Sequence, residues 1–428
     1  MIIMATKLHK VLHMQHGNEF IIYATLIIFI ITYIGVAVGG FWGLKLDRTG
    51  IVLLGSITLL AFGCLTLKDA VNSVNYRSIL LLFALMVVSS QLQYAGFYHK
   101  IAHFISGFIN KPSQFLLILM LSSGITSAFL NNDVVCYAFT PIIAVSLLKK
   151  KLNPVPFLIG LAISSNIGCA LTYIGNAQNV LIGEIGNLSF GGYILWTMIP
   201  VSISMILAYW IILIISKNSL NKTTNITISE KNIDKVEFNT WRAAKGLTCV
   251  IIIVILFFTP LPRYIVALVG AGLLLCSHKL DSKDVLKKVD WQLLILFIGL
   301  FVVVGAFRDQ GLGAKSIEWL KSSGVNLSNP YIMAITTGVL SNMINNSATV
   351  MLLVHFVDLT NPLFGYVLAL SNTLAGNLFI IGSVANIIVI KGAKDYGINI
   401  SFMEFAKYGI PVALSSFAVL LSWVFILY

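Results

Sequence analysis

The sequence predicts an all-α polytopic membrane protein: an inverted repeat of two five-span units, each with a re-entrant hairpin and a broken helix. Three observations predict it. The 428 residues are 58% hydrophobic and only 10% charged, whereas a soluble globular protein carries roughly 25% charged residues. The apolar residues fall in blocks near the length of about 20 that a helix needs to cross a bilayer. The two halves of the chain also resemble each other around one polar segment.

Residues 1–18 read as an N-terminal tail with Lys7, Lys10 and three histidines. The apolar run from Glu19 is long for a signal-peptide core and has no convincing cleavage site, so it reads as the first span, 20–42. The rest of the first unit, 19–216, holds spans near 50–67, 77–96, 156–185 and 191–216. Between them, 113–148 is apolar but broken in the middle by polar residues. It is read as two short helices forming a re-entrant hairpin, tolerated at membrane depth only where protein or a water-filled cavity receives the freed backbone.

Residues 217–244 form a polar linker loop. The second unit, 245–428, repeats the plan with spans near 245–260, 263–279, 290–307, 363–390 and 403–427, and a second hairpin at 329–357. The total is ten crossings and two hairpins.

The distribution of basic residues predicts orientation, because cytoplasmic loops carry excess Lys and Arg. With both termini outside, the loops facing the cytoplasm hold 20 of the 28 Lys and Arg; the opposite orientation leaves 8 there. The first hairpin then opens to the cytoplasm and the second to the exterior. The net charge of +12 sits in short gaps between apolar blocks, as expected beside anionic lipid. No basic stripe lies on a polar domain, which argues against a nucleic-acid partner. The five cysteines form no CxxC pair and imply no disulfide framework.

Three segment pairs carry the repeat. "DAVNSVNY" (69–76) matches "DVLKKVDW" (284–291), "GITSAFLNNDVV" (124–135) matches "GVLSNMINNSAT" (338–349), and "YIGNAQNVLI" (173–182) matches "IIGSVANIIV" (380–389), with offsets of 215, 214 and 207. Five crossings per unit, an odd number, start the second unit on the opposite side of the membrane. Inverted repeats with broken helices belong to secondary transporters, whose sites lie at the repeat interface near the bilayer midplane.

The polar breaks have a physical reading. An unpaired backbone group in lipid costs several kcal/mol, and asparagine offers donors and an acceptor without a charge. Asn131 and Asn132 correspond to Asn345 and Asn346; Gly175, Asn176 and Asn179 correspond to Gly382, Ser383 and Asn386. Glycine permits the turn, and Asn or Ser caps the helix that restarts. Four helix N-termini then present free N–H groups to an anion, while carbonyls and amides beside them suit a small cation. A Na+ is expected near Asn132, Asn179, Asn346 and Asn386.

Asp133 has Ser347 as its repeat partner and is the only charged residue between Lys111 and Lys149. A carboxylate inside a membrane is a functional hypothesis by default, here proton or cation coupling. Glu184, His355 and Asp358 read as interfacial, as does Gln91. Cys136 and Cys169 could offer soft sulfur to an arsenic-like solute, although small buried hydrophobes are their ordinary role.

Through "SAFLNNDVV", "VLSNMINNSATV", "IGNAQNVLIGEIGNLSFGGY" and "GNLFIIGSVANIIVIKGAKDYGINISF", the chain resembles the ArsB/NhaD-type ion-transporter superfamily, closest to its arsenite-permease and anion-permease branch and with a citrate-transporter-like domain. The resemblance implies hairpin tips meeting at one central site, lined by Asn131, Asn132, Asp133, Asn345, Asn346, Ser347 and Thr349, with Asn176, Asn179, Ser383 and Asn386 alongside. It also implies a homodimer. The tips read Asn132-Asp133-Val134 and Asn346-Ser347-Ala348, where the sodium/dicarboxylate members carry Ser-Asn-Thr.

The expected function is a secondary active permease of the plasma membrane. It would carry a small inorganic or organic anion or oxyanion, with arsenite/antimonite-type efflux favoured, coupled to H+ or Na+ by alternating access. A Na+/H+ antiporter or Na+-coupled carboxylate symporter is the alternative. A membrane-embedded enzyme is more remote, since no HExxH, GxSxG or paired carboxylates occur. No cofactor is expected. No Walker motif occurs, so ATP use would need a separate ATPase subunit.

Overall fold

The computed structural model describes residues 2–40, 45–217, 219–220, 237–276 and 281–428, with side chains from Glu19 onward. Most of the linker assigned to 217–244 lies outside the described residues. What is described is all helical.

The first ten helices are α1 (Ile2–Val38), α2 (Arg48–Ala61), α3 (Leu67–Ser73), α4 (Tyr76–Tyr94), α5 (Phe97–Ser106), α6 (Pro112–Phe129), α7 (Asn132–Lys149), α8 (Val155–Cys169), α9 (Ala177–Ile185) and α10 (Phe190–Ser216). The next ten are α11 (Thr240–Leu256), α12 (Arg263–Leu275), α13 (Ser282–Lys287), α14 (Trp291–Asp309), α15 (Leu312–Ser322), α16 (Pro330–Ile344), α17 (Asn346–Leu353), α18 (Pro362–Ala375), α19 (Val384–Lys394) and α20 (Phe402–Leu427). Helices α1–α10 and α11–α20 follow one another in the same order. Local chemistry repeats too. Asn75 caps α4 by accepting from the Ser78 amide at 3.0 Å, and Asp290 caps α14 through the Leu293 amide at 2.9 Å. Such caps satisfy amides that the first turn leaves free.

Contacts between the two sets come in exchanged pairs. Helix α2 packs on α14 while α4 packs on α12; α7 packs on α19 while α9 packs on α17; α8 packs on α19 while α9 packs on α18. Helices α4, α8 and α10 each meet their own counterparts, α14, α18 and α20. Such exchanged contacts are what a two-fold relation between the two sets would give, with i touching j as the partner of i touches the partner of j.

The surface is apolar and the centre holds amides. Ile203, Ile206, Trp210 and Ile214 of α10 are exposed, while Asn132, Asn166, Asn179, Asn372, Asn377 and Asn386 are buried. An exposed apolar belt of this extent marks a membrane-facing surface. Among the described residues, seven helices are long and apolar enough to cross a bilayer: Glu19–Val38 of α1, then α4, α6, α7, α10, α14 and α20.

The hairpin arms differ from the two short helices expected in each. Helices α6 and α7 have 18 residues each, about 27 Å at 1.5 Å per residue, because mainly apolar sequence continues on both sides of the Asn131–Asp133 break, back to Pro112 and on to Lys149. The second hairpin has arms of 15 and 8 residues. Close packing holds the first hairpin. A Cβ placed on Gly168 of α8 would stand 2.3 Å from the Gly124 Cα of α6, so the two backbones touch as small residues allow in membrane bundles.

Candidate functional site

Four helices restart deep in the protein: α7, α9, α17 and α19. Asn131 caps α7 by accepting from the Asp133 amide at 2.8 Å, and Asn345 caps α17 through the Ser347 amide at 2.8 Å. Asn176 caps α9 through the Asn179 amide at 2.7 Å. Ser383 precedes α19 but makes no cap bond; its hydroxyl donates to Asn166 Oδ1 at 3.0 Å. Asn345 has φ +88° and ψ 148°, a conformation that glycine adopts and residues with a Cβ rarely do.

A narrow cavity of about 20 Å³ lies among these helix starts, lined by Asn132 and Asp133 from the first hairpin and Asn345 and Asn346 from the second. Asn176, Gln178, Ser383, Val384, Asn166 and Thr373 complete the lining. The lining contains one carboxylate and no Lys or Arg. Gly175 lets the first tip sit tight. Its carbonyl accepts from the Asn132 amide at 3.2 Å, and a Cβ there would stand 2.4 Å from the Cys169 carbonyl oxygen.

Behind the cavity, Asn166 is the hub. Its Nδ2 donates to Asn377 Oδ1 at 3.1 Å and Asn386 Oδ1 at 3.0 Å, and its Oδ1 accepts from Asn132 Nδ2 at 3.3 Å. Thr373 holds the equivalent place in the other half. It donates to Asn179 Oδ1 at 3.2 Å and accepts from Asn176 Nδ2 at 3.3 Å. The bonds exchange as the helices do: 166 with 386 and 383, and 373 with 179 and 176. Gln178 Nε2 ties α9 to α17 through Ser347 Oγ at 2.7 Å, and Asn346 accepts from Ser341. Several deep polar atoms have no protein partner: Asn179 Nδ2, Asn377 Nδ2, both polar atoms of the Asn372 side chain, and Thr349 Oγ1. Buried polar groups without partners are costly, and ordered water ordinarily satisfies them.

The expected residues fall into three groups. Asn132, Asp133, Asn176, Asn345, Asn346 and Ser383 line the cavity. Gly175, Asn179, Ser347, Thr349, Gly382 and Asn386 shape or brace it from behind; Gly382 packs against Asn342 and Gly376. Asn131 instead borders an apolar cavity against α4 and α11. Sequence reasoning missed Asn166, Thr373 and Asn377. The signal lay in the repeat: at the offset of 207, Ser164-Ser165-Asn166 aligns with Ser371-Asn372-Thr373. One interfacial reading is corrected: Gln91 is buried. Glu184 is partly buried and paired with Arg263 at 3.3 Å.

The sequence profile of a family described as citrate transporter matches residues 24–369. A Dictyostelium discoideum transporter named arsB is 24% identical, covering 86% of this chain and 85% of that protein. The silicon efflux transporter LSI3 of Oryza sativa subsp. japonica is 25% identical, covering 89% of this chain and 94% of its own. The crystal structure of the YdaH transporter from Alcanivorax borkumensis, described as having an unusual topology, superposes with a TM-score of 0.57 at 12% identity over 96% of this chain and 98% of that one.

Proposed function

Because the chain belongs to the citrate transporter family, within the ArsB/NhaD-type superfamily, we propose that this membrane transporter is a permease for a small oxyacid, carried largely in its neutral hydroxylated form. One observation carries the reading: the cavity is lined by amides and hydroxyls from both hairpins, with Asp133 as its one carboxylate and no Lys or Arg. A multiply charged carboxylate would meet Asp133 with no cationic side chain to offset it. A weak acid such as arsenous or antimonous acid is mainly uncharged at neutral pH. Its hydroxyls can donate to amide oxygens and to Asp133 and accept from amide N–H groups. Arsenite/antimonite-type efflux is therefore the favoured activity, in line with the names of the arsB and silicon efflux relatives.

The two ten-helix sets are taken as inverted repeats, and the hairpin-bearing helices as the unit that moves past a scaffold of outer helices. Asp133 couples the cycle to a proton or sodium ion. The experiment is flux in proteoliposomes. Asp133→Asn should abolish the dependence of arsenite flux on an imposed pH or sodium gradient while leaving the protein folded; unchanged coupling rejects the role. Expression in an arsenite-sensitive host should confer resistance that Asn346→Ala removes.

The carboxylate in the lining also supports a second reading, Na+/H+ antiport. It predicts proton movement on adding sodium with no oxyacid present.

A further inference from the structure

Away from the central cavity, two adjoining open cavities of about 520 Å³ each share Arg77, Glu184 and Asn187 and together form one vestibule. It opens among the α3–α4, α9–α10 and α11–α12 connections, the face that the distribution of basic residues puts outside. That distribution leaves eight Lys and Arg there. All three arginines among them, Arg77, Arg263 and Arg308, line this vestibule, with His355 against Phe301 on one wall.

The three arginines are not equally engaged. Arg263 is consumed: Nη1 meets Glu184 at 3.3 Å, Nη2 donates to the Leu188 carbonyl at 2.6 Å, and the guanidinium lies 5.4 Å from the Tyr173 ring centroid. Arg308 is half exposed and meets only its neighbour Asp309, at 3.3 Å. Arg77 is exposed and has no carboxylate within ion-pair distance among the described residues; its guanidinium stands 6.0 Å from the Tyr76 ring centroid. At the offset of 215 the repeat counterparts of Arg77 and Arg308 are Gln292 and Gln93. The basic pair therefore belongs to one mouth only and is not a by-product of the duplication.

We propose that Arg77 and Arg308 form an outer site for a phosphate-like oxyanion, separate from the central amide site. Guanidinium groups bind such oxygens in a bidentate fork. With Glu184 paired to Arg263, Arg77 supplies unpaired positive charge, and Arg308 shares its guanidinium with the exposed Asp309 carboxylate, which a ligand oxyanion would displace. The ligand chemistry is a tetrahedral or planar oxyanion, supplied either by free solute or by a lipid headgroup at the rim. The site stands apart from the transport reading, because it is tested by binding rather than flux.

The probes are inorganic phosphate, titrated by calorimetry into protein purified in phospholipid-free detergent, and phosphatidylglycerol, followed by native mass spectrometry. Binding of either identifies the source. Arg77→Gln and Arg308→Gln should each weaken it by tenfold or more, while Asn346→Ala leaves it unchanged. Both arginines reach solvent, so neither variant threatens folding. The proposal is overturned by absence of both interactions, by unchanged affinity in the arginine variants, or by loss in Asn346→Ala instead.

Discussion

Asn345 shows how one side chain meets two demands. Its φ of +88° and ψ of 148° suit glycine better than any residue with a Cβ, yet its side chain must also cap α17. Asn131, its counterpart, caps α7 from an ordinary φ of −55°. The two tips are thus alike in sequence but not in strain. Asn345→Ala should lose about 0.5–2 kcal/mol through the lost cap, and Asn345→Gly distinctly less, because glycine also relieves the strain of the positive φ. At position 131 the order should reverse, with Ala the milder change. Thermal unfolding of the four variants checks this. The hub residue Asn166 was missed because no break in an apolar run marks it, and three of its partners, Asn377, Ser383 and Asn386, are more than 200 residues away.

At the scale of elements, the hairpins and breaks were legible because each leaves a mark in composition. Asparagine and glycine interrupt long apolar runs where backbone groups need partners. Arm length was not legible, since no polar residue marks where α6 and α7 should stop short of a full crossing. The fit between α6 and α8 was also hidden: Gly124 and Gly168 read as ordinary small residues, while in the fold their backbones meet. Gly168→Ala should cost about 1–3 kcal/mol through overpacking and shift the hairpin that carries Asp133. The expected result is a lower melting temperature with reduced flux. Gly272→Ala, where a Cβ meets nothing, should change neither.

At the scale of the molecule, the exchanged helix contacts and the exchanged hydrogen bonds of Asn166 and Thr373 support an inverted duplication whose two copies close on one another. The prediction that belongs here is sidedness. Single cysteines at Ser323 and Lys150, both exposed, should react with a membrane-impermeant thiol reagent from opposite sides, Ser323→Cys from outside and Lys150→Cys from inside. Labelling of both from one side would refute the inversion.

By itself the sequence determined the helical membrane class and the places where helices break, because lipid forces every uncapped backbone group to declare itself in residue type. Only the tertiary structure decided which amides face a cavity and which brace it, and that three arginines from distant segments gather at one mouth. Those outcomes depend on long-range packing across the two halves, where a residue's neighbours are set by the other copy rather than by its own stretch of chain.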